Sequence, residues 1–155
     1  MLKSYAWIFF ISMIPLIELR GAVPVSQLLD LPVLQSYIIC ILGNFFPVPF
    51  IYLFARRFLE WGQDKKFIGN FASFCLEKGS AAGKNLEKKA AYGIFAALVL
   101  FVGIPLPGTG AWTGTLAASI LNLGLKKTCL AVISGLLLAG FIMMAGSVGI
   151  ANAVN

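Results

Sequence analysis

Apolar residues gather into four long blocks along this chain, Ser4–Leu31, Pro32–Ala55, Ala90–Leu125 and Thr128–Ala153. No Asp, Glu, Lys or Arg falls within 31–55, 90–125 or 128–155, and charge-free apolar runs of about 18 residues or more have the length a bilayer demands. The third block is too long for one crossing. As a single helix its 36 residues would reach about 54 Å, against a hydrocarbon core about 30 Å thick. Its Pro105-Leu106-Pro107-Gly108-Thr109-Gly110 stretch removes two backbone donors and frees the chain from helical dihedrals. That break leaves two legs of about 15 residues, each about 22 Å and too short to cross. The pattern predicts a re-entrant hairpin over 90–125, turning in mid-membrane, and then a full span over 128–153.

The tripeptide Ile-Pro-Leu opens a break in each half, as Ile14-Pro15-Leu16 and as Ile104-Pro105-Leu106, about ninety residues apart. Interrupted apolar segments at matching places in two halves point to a transporter's binding site. By the repeat, residues 5–31 form a first hairpin that turns across Pro15–Pro24, and 32–55 form its paired span. The expected architecture is an all-α polytopic membrane protein. It has two inverted repeats, each a re-entrant helical hairpin followed by a transmembrane helix. Residues 1–55 are the first repeat, 56–89 a basic loop, and 90–155 the second repeat. A conventional first crossing is the competing reading, because Ser26, Gln27 and Asp30 make the second leg polar. Within 32–55, Pro47 and Pro49 leave carbonyls near Gly43 and Phe45 without donors and predict a kink.

Composition agrees with membrane embedding. Of 155 residues, 59% are hydrophobic and 12% charged, with a mean hydropathy of +0.90, whereas soluble domains carry about 25% charge. The net charge of +6 is concentrated: eight of the twelve Lys and Arg residues lie between Arg56 and Lys89. A Lys/Arg-rich loop between spans marks the cytoplasmic side, so the basic balance argues for topology and against a nucleic-acid partner. Arg56-Arg57 reads as part of that signal. Within the loop, Phe67, Phe71, Phe74 and Cys75 recur at helical spacing over Gln63–Lys78 and predict an amphipathic helix on the membrane surface. Histidine is absent and Cys40, Cys75 and Cys129 are widely spaced, so no metal site and no cofactor is expected, and no enzyme's acid–base set is present. Lys3 and the apolar run after it imitate a signal peptide, but Glu18-Leu19-Arg20-Gly21 offers no cleavage site of small residues.

The candidate chemistry sits at the two breaks. Charged side chains at bilayer depth cost about 2.5–3.5 kcal/mol on insertion scales and normally face protein or water. Glu18 and Arg20 are such residues. Two positions apart, they diverge on a helix but share a side of an extended segment, so an unwound tip brings both into one space beside Gly21. There Arg20 suits an anion, and a desolvated Glu18 is a candidate proton carrier. A mutually neutralising pair near the interface is the plainer reading. In the second break, Pro105, Pro107, Gly108, Thr109 and Gly110 expose backbone, and a half-helix starting near Ala111 presents free N–H groups to an anion. Trp112 and Thr113 flank it. Small residues serve close helix packing equally well. Asn44, in mid-span, needs partners, either across a helix contact or as a wall of the same cavity.

With Pro15-Leu16-Ile17-Glu18-Leu19-Arg20-Gly21-Ala22-Val23-Pro24 and Pro105-Leu106-Pro107-Gly108-Thr109-Gly110-Ala111-Trp112-Thr113-Gly114 together, the chain resembles the small multidrug export protein family, small integral membrane proteins of prokaryotes. That family is similar in turn to the DedA superfamily, in which paired re-entrant hairpins face each other and some members move lipid phosphates between leaflets. The resemblance implies residence in the cytoplasmic membrane and two opposed hairpins meeting at Glu18/Arg20 and Pro105–Gly110. The second break carries no acidic residue, unlike many DedA-like proteins, which leaves one carboxylate where a relay would need two. The expected function is proton- or ion-coupled transport of an anionic or phosphate-bearing amphiphile. A DedA-like lipid-phosphate flippase or scramblase and a non-transporting membrane adaptor are the alternatives. Membrane lipids, a small-molecule or lipid substrate, protons and a second copy of the chain are the expected partners.

Overall fold

Proline and glycine divide the chain where their chemistry demands it. The computed structural model describes residues 2–15, 17–63, 70, 73, 77, 88–106 and 108–154, and all its regular structure is helical. In order, these are α1 (Leu2–Met13), α2 (Glu18–Leu28), α3 (Val33–Phe45), α4 (Val48–Gly62), α5 (Lys88–Gly103), α6 (Ala111–Ile120) and α7 (Leu125–Val154). The α1/α2 break spans Ile14–Ile17 and the α5/α6 break spans Ile104–Gly110. The predicted surface helix over Gln63–Lys78 lies almost wholly outside the described residues, as does Pro107.

Two boundaries differ from the sequence expectation. The first break does not extend from Pro15 to Pro24, because α2 is helical from Glu18 and runs straight through Pro24. Pro24 costs one ladder bond, to the carbonyl of Arg20, and α2 is held on three sides by α1, α3 and α7. The span from Pro32 is interrupted at Phe46-Pro47, as its prolines predict, but the helix does not stop at Ala55; α4 continues past Arg56-Arg57 to Gly62. Arg56 has partners on both sides of that extension. It pairs with Glu60 one turn on, at 3.0 Å, and its guanidinium also donates to Asn122 Oδ1 in the turn after α6.

Helices that follow one another pack together: α1 lies on α2 and α3, and α5 lies on α6 and α7. The second helix of each pair then crosses to the other half, α2 onto α7 and α6 onto α4. Two glycines allow the α1–α3 and α5–α7 seams to close. A Cβ on Gly43 would collide with Phe9 O and reach Ser12 Cβ at 3.0 Å; on Gly135 it would meet Val99 O at 2.8 Å and Val102 Cβ at 2.7 Å. Further along α7, Leu138 covers Gly103 at the end of α5, and Leu19 approaches Gly140. Both breaks therefore come to the same stretch near the middle of this 30-residue helix.

The surface is apolar, and polar residues lie buried within an otherwise apolar core. Trp7, Phe10, Leu34, Phe54, Leu130 and Phe141 are each at least 60% exposed, while Ser12, Glu18, Ser26, Ser36, Asn44, Thr115, Ser119 and Thr128 are buried. Water would reverse that arrangement, since large exposed apolar patches are rare on soluble monomers. Val33–Trp61 and Leu125–Ser147 are long and apolar enough to cross a bilayer.

Candidate functional site

Glu18 and Arg20, in the first turn of α2, bond the start of that helix to the second break. Glu18 opens α2 with a left-handed φ of +51°, a conformation that costs an ordinary residue about 1–3 kcal/mol. Its own N–H donates to Ile14 O at 3.0 Å. Its carboxylate crosses to the start of α6, where Oε2 accepts the Ala111 N–H at 3.3 Å and Oε1 accepts the Trp112 N–H at 3.1 Å. Two helix N-termini, each carrying about half a positive charge, thus converge on one buried carboxylate. Gly110 makes room for it: at φ +136° it has a backbone that side chains avoid, and a Cβ there would run into the Glu18 carboxylate.

Arg20 takes the opposite end of the same loop. Its guanidinium donates to Leu106 O, to Ile104 O at 3.5 Å, and to Thr109 Oγ1 at 2.6 Å. These carbonyls follow the C-terminus of α5, where backbone partial charge is negative. The Thr109 hydroxyl lies within bonding distance of Leu106 O (2.8 Å) and Ile104 O (3.0 Å), which fixes the loop under the guanidinium. The Trp112 indole N–H donates back to Met13 O at 3.2 Å, closing a third bridge between the breaks.

Glu18 and Arg20 both line the space between the breaks, but not from the unwound tip that the sequence suggested. They sit in one helical turn, and the irregular loop opposite wraps far enough to meet both. Between the breaks lies a cavity of about 460 Å³. Pro15, Glu18 and Arg20 line it from the first half; Pro105, Gly108, Thr109, Trp112, Thr113 and Leu116 line it from the second. Gly110 lies beneath the Glu18 carboxylate. Gly21 packs on the Ile17 side chain of its own chain turn and does not line the cavity. Asn44 lies on α3, fully buried and outside the lining set. Leu116 escaped the sequence reading; it falls one turn beyond Trp112 and Thr113 on α6, so helical spacing from those two residues reaches it. Among the described residues, no cluster of His, Cys, Asp and Glu could hold a metal ion.

An all-helical chain with two membrane-length apolar helices, an apolar surface and a carboxylate buried where two helices begin defines a helical membrane protein. The family described as "Putative small multi-drug export protein" matches residues 18–142, and the chain belongs to it. That description is of a transporter and not of an enzyme. No curated protein and no solved structure matches the chain.

Proposed function

We propose that the chain is a proton-coupled membrane transporter whose substrate site is the cavity between the two breaks, and that its substrate is an anionic or phosphate-bearing amphiphile. The observation that carries this reading is the Glu18 carboxylate held by the Ala111 and Trp112 amides. The start of α6 is an anion seat, filled here by a side chain of the protein itself. Protonation of Glu18 removes the charge that the two amides prefer and frees them, with Arg20 close by, for the anionic group of a substrate. Proton binding and substrate binding are thereby linked at one carboxylate, so a two-acid relay is not required.

The packing supports re-entrant hairpins that enter from opposite faces. The α1–α2 pair has its open end beside the start of α3, where Tyr5 bonds Gln35. The α5–α6 pair has its open end beside α4 at the other end of that helical rod, where Arg56 meets Asn122 and Gly124 N–H donates to Tyr52 Oη at 3.1 Å. The matched glycine contacts, Gly43 on Phe9 and Gly135 on Val99, support a structural repeat. Two basic ends, Arg56-Arg57 and Lys126-Lys127, fall at the α5–α6 end and favour the cytoplasmic side there.

The test is transport of a labelled anionic amphiphile in proteoliposomes by wild type, Arg20→Ala and Glu18→Gln. A loss of tenfold or more in both variants is expected, and undiminished transport in both overturns the reading. A lipid-phosphate flippase is the second reading. One observation favours it: Pro15, Leu106 and Leu116 at the cavity's edge are exposed on the apolar surface, so a headgroup could enter sideways from a leaflet. Leaflet-resolved movement of a labelled phospholipid separates the two.

A further inference from the structure

The two halves close their seams with the same backbone contact but with different side chains. Aligning Gly43 on Phe9 with Gly135 on Val99 sets Ser12 beside Val102 and pairs Ser36, Cys40 and Asn44 of α3 with Thr128, Val132 and Leu136 of α7. The burial agrees at every place, since all eight side chains are buried to 2% exposure or less. In the second half the seam is apolar apart from Thr128, whose hydroxyl is satisfied by Gly124 O at 3.0 Å. The first half puts a hydroxyl, a thiol and an amide on one face of α3, at four-residue spacing that covers about 12 Å. Ser12 of α1 faces Cys40.

Two members of this stripe are left without partners. The Ser36 hydroxyl and both the amide nitrogen and the carbonyl oxygen of Asn44 are buried with no hydrogen-bond partner. Burying such groups unsatisfied costs about 1–3 kcal/mol each, and the corresponding Leu136 shows that the packing has no need of them. Buried polar groups of this kind call for a specific ligand. A metal cation would satisfy the Asn44 oxygen and leave its NH2 group orphaned. Water can donate and accept, and it satisfies all three atoms.

We propose that the α1–α3 seam is a water path, entered as α1 parts from α3, that brings water and protons from the open end of the first hairpin to the level of Glu18. The corresponding α5–α7 seam is a dry, fixed contact. This rests on the reading of Glu18 as the proton-exchanging group, but the seam's hydration can be measured without any substrate.

The full chain in proteoliposomes carries its own reporter, Cys40. In a Cys75→Ser/Cys129→Ser background, its labelling by a small cationic methanethiosulfonate reagent is compared with that of the Val132→Cys variant lacking the native cysteines. At least tenfold faster labelling of Cys40 is expected, slowed severalfold by Asn44→Leu. Equal rates at the two thiols, or labelling of Cys40 that Asn44→Leu leaves unchanged, overturns the proposal. If the labelling comes out as expected while Glu18→Gln leaves transport intact, the water path stands and the proposed role of Glu18 falls.

Discussion

Glu18 Oε1 accepts the backbone N–H of Trp112 at 3.1 Å, across 94 positions of chain. One carboxylate thereby belongs to the first turns of two helices. Its left-handed φ and the left-handed φ of Gly110 beneath it are local costs in the service of that contact. Strain of this sort concentrates at functional sites. The contact yields a direct expectation. Glu18→Gln keeps the shape but presents an NH2 group to one of two amide donors, and charge-assisted bonds of this type contribute about 1.5–3 kcal/mol. Its thermal midpoint in detergent should fall by several degrees, at about 2–4 °C per kcal/mol for chains of this size. An unchanged midpoint would mean that the carboxylate is not held as described.

The two glycines of the second loop should behave differently. Gly110→Ala meets both a forbidden φ and the Glu18 carboxylate, whereas a Cβ on Gly108, at φ +81°, points into open space. Gly110→Ala should therefore lower the thermal midpoint and reduce transport at least tenfold. Gly108→Ala should show only backbone strain of about 1–2 kcal/mol, and so a smaller fall in the midpoint than Gly110→Ala. Equal midpoint losses in the two variants would contradict the geometry.

The proposed opposite entry of the two helix pairs predicts a labelling pattern. Asp30 lies at the open end of the first hairpin and Lys126 at that of the second, and both are exposed. In a cysteine-free background, Asp30→Cys should react with an impermeant thiol reagent from outside the cell and Lys126→Cys only after permeabilisation. Reaction of both from one side would remove the inverted arrangement.

Much of this organisation could be read in the sequence because proline and glycine act locally. Pro105, Gly108 and Gly110 break α5 from α6, and Pro47 interrupts the rod, wherever the rest of the chain goes. The start of α2 was less legible, since a proline in the second turn of a helix costs only one bond and packing against three neighbours can offset it. Beyond Ala55, α4 carries an i,i+4 pair, Arg56 with Glu60, that the sequence does spell out, whereas the Arg56 bond to Asn122 is a tertiary contact that no local pattern encodes. The cavity lining was largely visible as two motifs. That Asn44 would lie outside it, fully buried on α3, was set by the register of helix packing, which the sequence carries only through Gly43.

The central claim is that the two helix breaks touch in the membrane, and cross-linking tests it most directly. The Arg20→Cys/Thr109→Cys pair, in a background without the native cysteines, should be joined within the membrane-embedded protein by a short bifunctional thiol reagent. Joining is read as an internal link between the two halves after cleavage in the basic loop. Efficient linkage of that pair, with little for the Arg20→Cys/Lys126→Cys control, is the predicted result. Failure of the Arg20/Thr109 pair to link while the control links readily would contradict the account.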